Sequence, residues 1–237
     1  GRWSKGTSSV WWEVEAQDVV DEVTVHLASS SSLAVCVGPP GALQPIELGA
    51  DTTSVSFAVD STVRVINSAG GALYSGWFGG DRGFLEPDVG QYDEPTEVFS
   101  WCGGAVLLRS EYLREVGVFD PSYFLYYEDF DLSWRGRSAG WIYRYEPTSV
   151  VYHEHAYSSK AGSEFFNYWV ARNRRLTLVK NAPARVAVRA VVGAVRLGPS
   201  GFWSFVRALP AALRDRRRLN RARVASRADI ASWMVGK

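Results

Sequence analysis

The chain is short of the residues that cross-link proteins. Its 237 residues hold only two cysteines, Cys36 and Cys102, which lie far apart in regions of different composition. With no Cys-x-x-Cys pair and no cysteine ladder, a disulfide-stapled fold is excluded and a reducing, intracellular setting is expected. Long apolar runs are missing too, none approaching the roughly 18–20 residues of a membrane span. The start, Gly1-Arg-Trp-Ser-Lys5, lacks the layout of a secretory leader. It also has no initiator Met and begins in mid-pattern, so a piece of something longer is expected. There is no His-Glu-x-x-His motif, which leaves a metal-dependent hydrolase built on Asp129, Asp131, His153 and His155 without a compact ligand signature.

What is abundant is aromatic and apolar. Hydrophobic residues make up 46% and charged residues 22%, with 10 Trp, 11 Tyr and 11 Phe. That is globular composition with enough material for a core. The formal net charge of +1 hides a division: residues 1–66 carry three basic groups against eight acids, and residues 182–237 carry twelve against two. Such a split predicts a basic tail with an anionic partner.

Residues 1–66 read as a small β-sandwich-like domain. Val10–Val14, Glu22–Leu27, Leu33–Val37, Ser54–Val59 and Thr62–Ile66 are β-branched and partly alternating, with turn material between them. Trp3, Trp11 and Trp12 could form a sugar-stacking face or simply a core. From Asn67 to Gln91 the chain is rich in Gly and aromatics and reads as a long ordered loop, a common place for function. Glu97–Leu108 reads as a buried strand interrupted by Gly103 and Gly104, where another backbone or a ligand approaches closely. A short helix capped by Ser110 follows, and strands are expected over Gly140–Tyr145 and Thr148–Tyr152.

Between them lies the stretch that organises the rest, Tyr123-Phe-Leu-Tyr-Tyr-Glu-Asp-Phe-Asp-Leu-Ser-Trp-Arg135. Glu128, Asp129 and Asp131 open a helical pattern that closes at Gly140. Acids in a first turn complement the helix dipole, which is explanation enough for their presence. Their aromatic setting also makes their pKa values tunable, and Tyr152-His-Glu-His155 ends the next apolar run. Carboxylates and imidazoles at the ends of consecutive elements make a candidate reaction centre.

The tail, residues 183–237, reads as helical and basic. Ser163 caps a helix running to Lys180, and Pro183 starts another. In Arg185–Arg196 the helical period places Arg185, Arg189 and Arg196 on one stripe beside Val188, Val191, Val192 and Val195. That pattern suits an interfacial or docking helix, held at an anionic membrane surface or packed with its arginines solvated. No nucleic-acid recognition fold accompanies the arginines. Arg214–Arg227 is a basic run, and Ser226 caps a last short helix.

Taken in order, one series of residues carries a family likeness. It comprises Asn67-Ser-Ala-Gly-Gly71, Asp81-Arg-Gly83, Gly90-Gln-Tyr-Asp93, Cys102-Gly-Gly104, Val116-Gly-Val-Phe-Asp120, Tyr127–Arg135, Gly140-Trp141, Val151-Tyr-His153 and Arg172-Asn-Arg174. From about Val65 to Pro183 the sequence resembles family 2 inverting glycosyltransferases of the GT-A fold, in the bacterial rhamnosyl- and galactofuranosyl-transferase style. The resemblance implies an α/β fold, a partial GT-A comprising the acceptor and catalytic half over residues 67–182.

It implies a nucleotide-sugar donor, a glycan or lipid-linked acceptor, and a role in cell-envelope polysaccharide synthesis. Asp129 then looks like the general base, with Glu128 beside it. Asp81, Arg82, Trp101, Gly103, Gly104, Trp134 and Arg135 face substrate, and His153 is a ligand of a divalent cation, Mn or Mg. The location implied is cytoplasmic, peripheral on the inner face of the membrane. The nucleotide-binding half with its Asp-x-Asp motif should precede this region, and residues 1–66 do not supply it. Asp129-Phe-Asp131 has the letters of that motif but stands in the acceptor-side element. The alternative function is a non-catalytic carbohydrate-binding protein.

Overall fold

The structure is a computed structural model. It describes residues 64–152 and 163–236, together with the backbone of four strands nearer the N-terminus. The chain divides into two compact units, one of residues 1–65 with 85–88 and one of residues 66–84 with 89–237.

In the first unit, β1 (Glu22–Leu27) pairs antiparallel with β4 (Thr53–Ala58), Glu22 opposite Ala58. Between them in sequence, β2 (Leu33–Val37) pairs antiparallel with β3 (Gln44–Leu48), Leu33 opposite Leu48. Sequence reading finds β1, β2 and β4 but not β3, whose Pro45 opposes Cys36 and disguises the strand. The expected strand over 10–14 and the tryptophans at 3, 11 and 12 lie outside the described residues. Of the expected strand over 62–66, Val65 forms only an isolated bridge with Pro87.

The second unit mixes strands and helices. Here the expected long loop contains a hairpin, β5 (Gly71–Tyr74) with β6 (Phe78–Asp81). Phe78 and Tyr74 are partners across it, and the tight turn takes Gly76 and Trp77 to positive φ. The expected strand over 97–108 is only β7 (Thr96–Val98): the chain bends at Phe99, Ser100 bridges to Gly71 instead, and Gly103 and Gly104 lie in a turn further on. β7 pairs antiparallel with β8 (Tyr143–Tyr145). The expected strand over 148–152 does not form: Thr148 turns back, its hydroxyl donating to Glu146 at 2.8 Å.

The helices are α1 (Ser110–Val116), α2 (Glu128–Ser138), α3 (Glu164–Asn181), α4 (Ala184–Val192), α5 (Gly198–Ala222) and α6 (Arg227–Ser232). Ser110 is the first residue of α1 rather than its cap. Ser163 and Ser226 do cap α3 and α6, accepting from the backbone N–H of Phe166 and Asp229. The last strand, β9 (Met234–Val235), lies parallel to β5 on the edge opposite β6.

Helix α2 is buried from Phe130 to Ser138, and the core is built on it. Trp134 stacks on Trp77 with ring centroids 5.8 Å apart and 6° between planes, and Phe99 and Phe130 meet it edge-on. On its other side, Tyr112 and Tyr143 donate their hydroxyls to the carbonyls of Leu132 and Ser133, both at 2.8 Å. Gly136 makes that approach possible, since a Cβ there would lie 2.2 Å from the Tyr143 hydroxyl.

Residues 183–236 pack against this core rather than standing apart as a domain. Val186, Ala187 and Ala190 of α4 are buried, as are Phe205 and Ala212 of α5 and Ile230 of α6. The expected helix over 185–196 breaks into α4 and a 3-10 turn, Gly193–Leu197. Among the described residues, no helix is long and apolar enough to cross a membrane.

A buried ion cluster ties α2 to α3. Asp131, fully buried, receives Lys180 Nζ at 2.7 Å, Arg135 Nε at 3.0 Å and Asn181 Nδ2 at 2.9 Å. Lys180 also donates to Asp120 at 2.9 Å. Burial alone would push the Asp131 carboxyl up, but the Lys180 and Arg135 charges and the Lys180 and Asn181 bonds hold it below its usual range.

Candidate functional site

Three carboxylates expected from the sequence fall into one region. Asp129 stands in the first turn of α2, where its carboxylate accepts the Gly103 N–H at 2.9 Å and the Phe130 N–H at 2.6 Å. A Cβ at Gly103 would sit 3.2 Å from the Asp129 oxygen, so the carboxylate would have to give by a few tenths of an ångström. Burial raises the Asp129 carboxyl above its ordinary value, the Asp81 charge adds to this, and the Gly103 and Phe130 N–H groups oppose it. Glu128 is raised as well, by burial and then by the Asp129 charge. Its Oε2 is buried with no hydrogen-bond partner among the described residues. A carboxylate so placed retains much of its basicity, as proton abstraction requires.

Asp81 closes the cluster from the end of β6, accepting the Ser68 hydroxyl at 2.7 Å. Cys102 lies among these groups. Burial pushes its thiol up to about 11, and the charges of Asp81 and Asp129 act in the same direction, against the Gly104 N–H and the Ser68 hydroxyl. It is therefore a neutral thiol near pH 7, not a nucleophile. Ser68 and Cys102 are members of the site that sequence reasoning did not assign, although both stand within the motifs that carried the resemblance.

Of the remaining expected residues, Trp134, Arg135, Trp101 and Arg82 part company with the cluster. Trp134 has no exposed surface and Arg135 almost none, so neither can bind substrate. Trp134 is taken by the core stack, and Arg135 by Asp131 and the carbonyls of Val116 and Val118, each 2.8 Å away. The Trp101 ring is buried with Tyr112, Val116 and Leu132 and meets Phe119 edge-on, so it offers no stacking face. Arg82 turns its guanidinium to the Ala69 carbonyl at 2.9 Å and over the Tyr92 ring. Gly104 is exposed in the turn beside Gly103.

What aims the acid pair lies in α3. Phe124, Tyr126 and Tyr127, immediately before Glu128, all have positive φ, of 57°, 66° and 70°. Such conformations cost bulky residues about 1–3 kcal/mol each and persist only where their surroundings over-determine them. Asn173, fully buried in α3, does so: its amide nitrogen lies 2.8 Å from the carbonyls of Tyr123, Leu125 and Tyr126. Arg172 adds a bond to the Ser122 carbonyl at 2.9 Å. Arg172 and Asn173 thus serve the acids by shaping the chain that leads to them, while Arg174 donates to the Gly76 carbonyl at 2.8 Å.

His153, the expected metal ligand, lies outside the described residues, as does His155. Among the described residues no group of three His, Cys, Asp or Glu side chains could hold a metal ion. The cluster of Asp81, Asp129 and Cys102 does not by itself fit a cation site.

Comparison with known proteins agrees with part of this picture. No family model and no solved structure matches the chain. Over 68 residues, 28% of its length, it is 43% identical to N-acetylglucosaminyl-diphospho-decaprenol L-rhamnosyltransferase of Mycobacterium tuberculosis, in both strain CDC 1551 / Oshkosh and strain ATCC 25618 / H37Rv. The matched segment spans 22% of those proteins, so the chain is similar to a portion of a glycosyltransferase.

Proposed function

We propose that this chain is the acceptor-side part of an inverting, GT-A-type glycosyltransferase that extends a lipid-linked glycan of the cell envelope. The observation that carries the reading is Asp129. It is a carboxylate with a raised pKa, fixed by two backbone N–H groups at the start of a buried helix, in a chain similar in part to rhamnosyltransferases. In the reaction, the acceptor hydroxyl attacks the anomeric carbon of a nucleotide-sugar while Asp129 takes its proton. The bond from that carbon to the diphosphate oxygen breaks on the opposite face, and the nucleotide diphosphate leaves with the electron pair. One displacement inverts the anomeric configuration. Glu128, raised by burial and then by the Asp129 charge, would orient the hydroxyl.

A divalent cation, Mn or Mg, belongs to the same reading, with His153 as one ligand. A chelator should then abolish transfer and added Mn or Mg restore it. His153→Ala should raise the cation concentration giving half-maximal rate, and His155→Ala should do so much less. Equal shifts at the two positions would remove His153 from the metal site.

The direct test incubates the intact gene product with nucleotide-activated sugars, rhamnose among them, and N-acetylglucosaminyl-diphospho-polyprenol. Expected is a new glycosidic bond whose anomeric configuration, read by NMR, is opposite to the donor's. Glycan binding without turnover of any donor would instead favour a carbohydrate-binding protein.

A further inference from the structure

Helix α4 is packed and exposed at once. One side buries Val186, Ala187 and Ala190, while Val188 and Val192 on the other are 61% and 67% exposed. Val195, in the turn that follows, is 68% exposed. These valines do not complete the core, which closes without them. Between α4 and α5 runs an apolar groove of ≈ 270 Å³, lined by Val188, Val191 and Val192 from one helix and Leu213 from the other. Arg185 and Arg189 stand exposed beside the valines.

The next face of α5 is strongly basic. Arg214, Arg217, Arg218 and Arg221 recur at helical spacing and line one shallow hollow of ≈ 480 Å³. The one carboxylate of α5, Asp215, is half-buried and lies 3.9 Å from Lys180 and 3.7 Å from Arg218. Helix α4 has no carboxylate at all. Four guanidinium groups around one hollow repel each other unless an anion comes between them.

We infer that this α4–α5 face docks on an anionic lipid bilayer, its valines entering the headgroup boundary and its arginines meeting lipid phosphates. Apolar side chains flanked by arginine, on helices too polar to insert, are the chemistry of an interfacial surface. A second copy of the chain fits less well, because a two-fold contact through the valines would bring the two arginine stripes toward each other. Soluble polyanions would satisfy the arginines but leave the valines in water. The inference is independent of the catalytic reading, since no residue of the acid cluster takes part.

The test is co-sedimentation with vesicles of phosphatidylcholine containing or lacking phosphatidylglycerol. The parent should bind the anionic vesicles, release them as salt rises, and ignore pure phosphatidylcholine. Arg214→Gln/Arg217→Gln/Arg221→Gln should weaken partitioning about a hundredfold, near fivefold per charge. Val188→Asp/Val192→Asp should weaken it about tenfold or more. All five positions are exposed, so circular dichroism should show an unchanged fold. Either variant binding like the parent overturns the proposal, as does saturation by inorganic diphosphate without vesicle uptake. A concentration-dependent dimer that Val188→Asp/Val192→Asp abolishes, with no vesicle binding by the parent, would assign the face to a second copy.

Discussion

Asp129→Asn in the intact gene product should lower sugar transfer by about 10²–10⁴, the usual worth of a positioned base. The substitution keeps the shape of the side chain and can keep an oxygen toward Gly103 or Phe130. At most one of the two backbone bonds is then lost, so stability should stay within about 1 kcal/mol of the parent. Donor binding should be nearly unchanged, because the missing step is proton removal. The pH profile gives a second check. A carboxyl raised by burial must lose its proton before it can act, so the acidic limb of the rate profile should lie above the range of an exposed aspartate. The same raised pKa means that ionised Asp129 lowers stability as pH rises through its folded value. Retention of more than half the parent turnover would remove Asp129 from the role of base.

Lys180→Met should destabilise the protein by about 3–5 kcal/mol, because it leaves a buried carboxylate without its principal counter-charge. Lys180 is itself buried against the Tyr123 ring, and its ammonium reaches both Asp131 and Asp120. Only Arg135 would then remain to balance Asp131. Both carboxyls lie below their usual range in the folded protein. The stability they contribute is therefore present above the ordinary carboxylate range and is lost as pH falls through their folded values. Urea melts at neutral and acid pH should show the Lys180→Met loss shrinking toward acid. A single variant within 1 kcal/mol of the parent would show the cluster to be dispensable.

These two positions show what could and could not be read from the sequence. Asp129 was legible because acids at the start of a helical pattern are a local signal, as are the serine caps of α3 and α6. Asp81, Gly103 and Asp129, singled out as site residues from the sequence, lie in one region of the structure. Trp134 and Arg135 were misplaced, because nothing local says which side of α2 faces the core, and in fact nearly every side is covered. The tail was expected to be helical, but the bounds of α5 were not legible in the sequence, and Gly198, Pro199, Gly201 and Pro210 all lie within it. Pro199 falls in the first turn, where its missing donor costs nothing, and Gly201 is buried where a Cβ would lie 2.8 Å from Leu197. The role of Asn173 was invisible for a different reason, since it depends on carbonyls some 50 residues away.

That distance has a consequence for the order in which the protein becomes competent. Phe124, Tyr126 and Tyr127 have no local reason to adopt positive φ, so a nascent chain ending before α3 would sample other conformations there. The peptide groups that aim Glu128 and Asp129 settle only when Asn173 arrives, and that contact closes a loop of about 50 residues, whose entropy must be met first. Helix α2 can form early from its own sequence, but the peptide groups at its acidic end would be set late. On the proposed reading, sugar transfer would be withheld from chains in which α3 has not docked.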